Sequence, residues 1–206
     1  MVKTLSNRDA PTPSNADCVW LLIAVNALAY AAWLWQPGFI YRQLALWPLD
    51  GWYPFRPWQL LTYGFIHDRV VVLHLLLNMF ALWTFGALLA KNLGRSRFLG
   101  VYAGCMAGAG ITQLGLTAGF GIAAPTVGAS GALFGLLAVV ALRFGSEDLS
   151  LLFTPITLRA RTLVAIIAMS ELVLALWLPH SRIAHGAHLG GLLSGLLIAY
   201  GFREEK

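Results

Sequence analysis

Six apolar runs alternate with polar connections along this chain: Cys18 to Trp35, Val70 to Ala90, Phe98 to Leu116, Val127 to Phe144, Leu163 to Leu178 and Ile183 to Phe202. Each approaches the roughly 20 residues that a helix needs to cross about 30 Å of hydrocarbon. The pattern predicts six spanning helices in one domain, residues 18–202, with an arm over residues 1–17 and a short tail over residues 203–206. The first run has no small-x-small cleavage site behind it, so it reads as a retained span and not as a removable signal. Composition agrees: 58% of the residues are hydrophobic and 11% charged, with a mean hydropathy of +0.70, whereas soluble domains carry about 25% charged residues. The expected class is an all-α integral membrane protein.

One connection is long. Residues 36–69 hold Phe39, Tyr41, Trp47, Trp52, Tyr53, Phe55 and Trp58, interrupted by Pro37, Pro48, Pro54 and Pro57. Amphipathic rings favour the headgroup level of a bilayer, so this loop between spans one and two is expected to form short interfacial helices broken at the prolines. Lys and Arg set the orientation. Lys3, Arg8, Lys91, Arg95, Arg97, Arg143, Arg159, Arg161, Arg203 and Lys206 flank one side, against Arg42, Arg56, Arg69 and Arg182 on the other. The positive-inside rule then places both termini in the cytoplasm. The basic pI, about 9.6, follows from that asymmetry; with no basic patch interleaved with exposed aromatics, nucleic acid is not an expected partner, and lipid headgroups are. Cys18 and Cys105 lie in or beside apolar runs, outside any C-x-x-C spacing, and predict neither a disulfide nor zinc.

Polar residues inside spans are costly and point to function. With the amino terminus inside, spans two, four and six all begin at the outer face. His74 and Asn78 then lie roughly 6 to 12 Å below the start of span two, Ser130 about 5 Å into span four and His188 about 8 Å into span six. A serine needs a base within hydrogen-bond reach, which His188 can supply. The charge that develops on a carbonyl oxygen can be met by the Ser130 amide, Asn78 and His74. No carboxylate lies at matching depth in spans two, four or six, which favours a dyad over a triad. Gly131 and Gly135, with Gly186, Gly190, Gly191 and Gly195, make small-residue faces for close helix approach, and Gly128 belongs with them ahead of Ser130. A wet pocket lined by His74, Asn78, His185 and Ser130 is expected to open outward.

Other roles are open to these residues one at a time. Gly128-Ala129-Ser130-Gly131 also suits plain helix packing, His74 with Asn78 also suits an interhelical hydrogen bond, and His185 with His188 resembles a metal pair that lacks a third ligand. His67, just outside span two, reads as a solvated loop residue. Glu171, in the middle of span five, is expected to hydrogen-bond a neighbouring helix whose identity the sequence does not give, and a proton pathway through Glu171, His185 and His188 is the transporter alternative.

Taken together, His74-x-x-x-Asn78, Gly128-Ala129-Ser130-Gly131 and Ala187-His188-x-Gly190-Gly191 with Gly195 resemble the rhomboid family of intramembrane serine proteases across about residues 18–202. The resemblance implies a six-span bundle and a Ser130/His188 dyad with His74 and Asn78 around the oxyanion. It implies cleavage of single-span membrane proteins near the outer surface, at sites flanked by small or helix-breaking residues; net charge and loop composition suggest a bacterial inner membrane, and no cofactor, metal or ATP is expected. It also implies a loop that inserts sideways into the membrane and a fifth span that helps admit substrate. Inactive relatives that bind spans without cutting them provide the second reading. The chain departs from the family at Trp58-Gln59, where a Trp-Arg pair is usual, at Ala90, where many members carry glutamate, and at Phe134, where some have tyrosine. The first bears on loop anchoring, the second on a stabilising polar contact, and the third leaves ring stacking beneath His188 possible. The sequence does not reveal the oligomeric state.

Overall fold

The computed structural model describes residues 17–122, 124–150, 157–178, 181 and 183–201. Most of the expected arm and the whole tail lie outside the described residues. The chain is mostly helical, and the helices coincide with the apolar runs. Helix α1 spans Asp17–Trp35, and Pro37 then starts α2, Pro37–Leu44, where the missing N–H of proline costs nothing. A short α3, Gln59–Thr62, leads into a 3-10 turn at Tyr63–Phe65. The second apolar run forms α4, Val72–Ala81, and α5, Ala87–Leu93, joined through a π-helical segment at Leu82–Gly86. The Asp68 carboxylate caps this run by accepting from the Val70 and Val71 amides at 2.8 and 2.9 Å. Gly94, at φ 78°, makes the turn into α6, Arg95–Phe120.

Helix α7 covers Ser130–Arg143, α8 covers Ala160–Trp177 and α9 covers His185–Gly201. Among the described residues, four helical segments are long and apolar enough to cross a membrane: α1, the continuous run Val72–Leu93, α6 and α8. The runs read as spans four and six form shorter helices of 14 and 17 residues. One feature escaped the sequence reading: Asp148–Ser150 (β1) and Thr157–Arg159 (β2) pair antiparallel between α7 and α8.

Helix α7 runs through the interior. Its Leu133, Leu136, Val139 and Val140 are buried with Phe98, Val101, Tyr102 and Met106 of α6 and with Leu82 and Leu89 of the second run. The outward faces are apolar too: Leu73, Leu76 and Leu77 of α4, Ile166, Met169 and Val173 of α8, and Leu193 and Leu197 of α9 are all exposed. Patches of that extent are not stable against water. They suit hydrocarbon, and the protein is an integral membrane protein.

Helix α9 lies between α6 and α7 and touches both through glycines. A β-carbon on Gly191 would overlap the Gly131 carbonyl, and one on Gly195 would overlap the Gly135 carbonyl, both on α7. One on Gly190 would meet Thr112, and one on Gly186 would meet Leu116 and Gln113, all on α6. Backbone contact of this kind fixes helix spacing more tightly than interdigitated side chains can.

The long connection is tied down. Leu46 and Thr126 exchange backbone hydrogen bonds of 3.0 and 2.9 Å, which joins the loop to the segment just before α7. Gln59 is fully buried, and its Oε1 accepts from the Trp47 amide at 3.3 Å and the Arg56 amide at 3.2 Å. Anchoring therefore does not require an arginine at this position. Ala90, where the other departure falls, is fully buried in the apolar core and leaves no polar group to satisfy.

Candidate active site

Ser130 is the first residue of α7, where the opening amides of a helix have no intrahelical acceptor. The turn before it depends on Gly128, whose φ of 118° is unfavourable for any residue with a side chain. The Gly128 amide donates to the Tyr63 carbonyl at 3.0 Å, while the Tyr63 hydroxyl donates to the Met106 carbonyl at 2.9 Å. Tyr63, fully buried, thus holds the turn from one side and α6 from the other; burial pushes its phenol far above the ordinary tyrosine range. Gly128 is corrected from a helix-packing residue to a turn residue. It lies outside α7, and a β-carbon there would come within 2.9 Å of His74 Nε2 and 3.9 Å of Ser130 Oγ. His74 and Ser130 border one small space.

His188 sits one turn into α9, and its Nε2 lies 2.8 Å from Ser130 Oγ, across 58 positions of sequence. Its ring stacks on Phe134 of α7, with centroids 4.1 Å apart and planes 6° from parallel. Phe134 fixes the plane of the imidazole, and no hydroxyl is needed for that. Ser130 is half-buried and His188 is 8% exposed, so the pair is held inside the protein with the serine on its more open side.

Around the pair, the Asp68 amide donates to His74 Nδ1 at 3.4 Å, which leaves the proton on Nε2, the nitrogen beside Gly128. Asn78, also buried, donates one N–H to the His74 carbonyl at 2.6 Å. The His67 expectation is corrected. The ring is fully buried, packs edge-on against His74 with centroids 5.2 Å apart, and has no well-aligned hydrogen bond on either nitrogen among the described residues. Burial, reinforced by the neighbouring His74, pushes His67 down to about 3. It is a neutral wall of the site and not a loop residue in solvent.

A carboxylate from the fifth apolar run lies beside the histidine. Glu171 of α8 accepts from His185 Nδ1 at 2.6 Å, and the same oxygen lies 3.0 Å from His188 Nδ1. The second contact is off the line of the ring N–H, so His188 Nδ1 has no aligned hydrogen bond among the described residues. In a six-span reading, spans two, four and six run in one sense and span five in the other. Helix α8 runs the other way, and Glu171 stands six residues before its end at Trp177, about 9 Å by helical rise. That matches His188 near the start of α9, and counting back from the end of the span would have found it.

Glu171, His185 and His188 also complete the set of three that the sequence lacked for a metal, with ligand atoms within 4.8 Å of one another. Zinc bonds of about 2.0 to 2.2 Å hold tetrahedral ligands more than about 3 Å apart. The 2.6 Å contact is too short for two ligands of one ion. The three groups stand at hydrogen-bond spacing.

Comparison with known proteins agrees with this picture. The rhomboid domain matches residues 54–205, a stretch that contains Ser130, His188, His74 and Asn78. The chain is 31% identical over 204 residues to Rhomboid protein 1, mitochondrial, of Saccharomyces cerevisiae, covering 92% of this chain and 54% of that protein. It is 33% identical over 134 residues to Presenilin-associated rhomboid-like protein A, mitochondrial, of Danio rerio, covering 63% of this chain and 34% of the relative. It is 33% identical over 147 residues to Rhomboid protease GluP of Bacillus subtilis, covering 69% of this chain and 25% of that protein. The chain thus spans between a quarter and about half of the length of these relatives. With the domain matched over most of its length, this chain belongs to the rhomboid family.

Proposed function

We propose that the protein is a serine endopeptidase that hydrolyses peptide bonds in or near the transmembrane segments of single-span membrane proteins. The observation that carries this reading is the 2.8 Å contact between Ser130 Oγ and His188 Nε2 at the head of α7. A neutral His188 accepts the Ser130 proton as Oγ attacks the scissile carbonyl carbon. The negative charge on the carbonyl oxygen meets the Ser130 amide, the Nε2–H of His74 and the free N–H of Asn78. As the tetrahedral species collapses, the C–N bond breaks and His188 returns the proton to the leaving amine. Water, deprotonated by His188, then cleaves the acyl-serine ester and regenerates Ser130.

In this reading α7 and α9 complete a six-span core. Both termini lie on the Lys- and Arg-rich cytoplasmic side of a bacterial inner membrane, and the site opens toward the opposite face. The relatives named above include mitochondrial and bacterial proteins, and the same charge logic suits either setting.

Fluorophosphonate labelling of the purified protein tests the nucleophile without a known substrate. The wild type is expected to label, and Ser130→Ala and His188→Ala to lose labelling by about 10³-fold or more. A folded wild type that does not label overturns the protease reading and favours a module that binds spans without cutting them.

A further inference from the structure

His188 can serve as base only if its proton rests on Nδ1 and its lone pair on Nε2 faces Ser130. Neutral imidazole offers both tautomers, and the choice is set by what lies beside the other nitrogen. Nδ1 is buried, and the acceptor beside it is Glu171 Oε2 at 3.0 Å. We propose that Glu171 is a positioning residue for His188, so that the site works as a Ser130-His188-Glu171 triad whose carboxylate is delivered by α8. This inference rests on the protease reading above.

The carboxylate has two tasks. Before reaction it favours the proton on Nδ1, because a buried N–H without an acceptor is costly and the opposite tautomer would set a lone pair against the carboxylate. During attack the proton moves from Ser130 Oγ to His188 Nε2 while the new O–C bond forms, and the imidazole becomes a cation 3.0 Å from a fixed negative charge. In a protein interior that attraction is far stronger than in water. Glu171 stays ionised throughout, and no proton passes to it.

His185 competes for the same oxygen, and in the structure it holds the better-aligned bond at 2.6 Å. That raises a rival role: Glu171 serves only as a latch that holds α8 to the first residue of α9 through His185. The two roles separate in a double-mutant cycle, which isolates the coupling between neighbouring groups. The saturation kinetics of fluorophosphonate labelling are measured for Glu171→Gln in the wild-type background and again in His185→Phe, a ring without nitrogens, with thermal unfolding followed in parallel.

A triad role predicts that Glu171→Gln slows the maximal labelling rate by about tenfold or more, as loss of the orienting acid does in other triads. It predicts a similar factor in the His185→Phe background and little change in half-saturating probe concentration. Wild-type labelling by Glu171→Gln overturns the proposal. So does a loss that disappears once His185 is replaced, which would make Glu171 a latch. If Glu171→Gln does not fold, Glu171→Asp takes its place in both backgrounds: it keeps the charge, draws it back by one methylene, and is expected to slow labelling, whereas an unchanged rate overturns the proposal. Failure of the underlying reading looks different, since it would appear as a wild type that does not label or as a Ser130→Ala protein that still does.

Discussion

Helices α7 and α9 meet through their backbones, whereas the second half of α8 reaches α9 with a carboxylate. Gly131 and Gly135 lie against Gly191 and Gly195 with no space for a methyl group, and more than half of α7 is buried. Helix α8 has only Ala160, Leu163 and Val164 buried, all near its N-terminal end, and 17% of its membrane-length window is buried against 39% for α6. Beyond those residues, the polar link from the described part of α8 to α9 is Glu171. The serine and the histidine therefore sit on a frame with little freedom, while the carboxylate sits on a helix whose C-terminal end is lightly held. Such a division keeps the reacting pair in register and leaves the third group the easiest to displace.

The largest effect is expected from forcing the rigid pair apart. Gly195→Leu places four carbons where the Gly135 carbonyl now stands, and overpacking of a close contact costs about 1 to 3 kcal/mol or more. Here the obstacle is backbone on both sides. We expect labelling of Ser130 to fall by about 100-fold or more, as a shift of about 1 Å can cost that much, together with a lower unfolding temperature. If Gly195→Leu labelled and melted like wild type, α7 and α9 would not be the rigid frame described above.

A smaller effect is expected at Phe134. Its ring lies flat beneath His188 at 4.1 Å, and ring-stacking pairs contribute about 0.5 to 1.5 kcal/mol beyond burial. Phe134→Leu keeps an apolar side chain of similar size but loses the plane. Labelling is expected to slow by about three- to tenfold, with an unfolding temperature close to wild type. A wild-type rate would show that α7 and α9 orient the imidazole without help from the ring.

The apolar runs located the helices because a bilayer leaves the backbone few alternatives. By helical rise Ser130, His188, His74 and Asn78 fall at one level, and the structure places Ser130 against His188 and His74 beside Gly128. Three things were harder to read. Strands β1 and β2 are three residues each, too short for alternation to rise above chance. His67 looked solvated because it stands just outside the second apolar run, yet its ring turns inward against His74; a single residue in a connection carries no periodicity to reveal that. Glu171 was visible as a costly intramembrane acid, but its partner depends on the antiparallel sense of α8, which puts the matching depth near the end of the helix and not near its start.

The smallest effect is expected on the outward face of α8, where it tests whether the carboxylate acts alone. Met169 and Val173 are 61% and 43% exposed and flank Glu171 by two residues on either side. Helical spacing turns them away from α9, and substitutions at exposed positions change stability by about 0.5 kcal/mol or less. Met169→Ala and Val173→Ala are expected to label within about twofold of wild type, in contrast to Glu171→Gln a short distance along the same helix. If either alanine variant slowed labelling as much as Glu171→Gln, α8 would be acting as a packed wall whose general position matters. The contrast between a backbone-locked pair and a carboxylate-linked third helix would then give way to three helices held by packing alike.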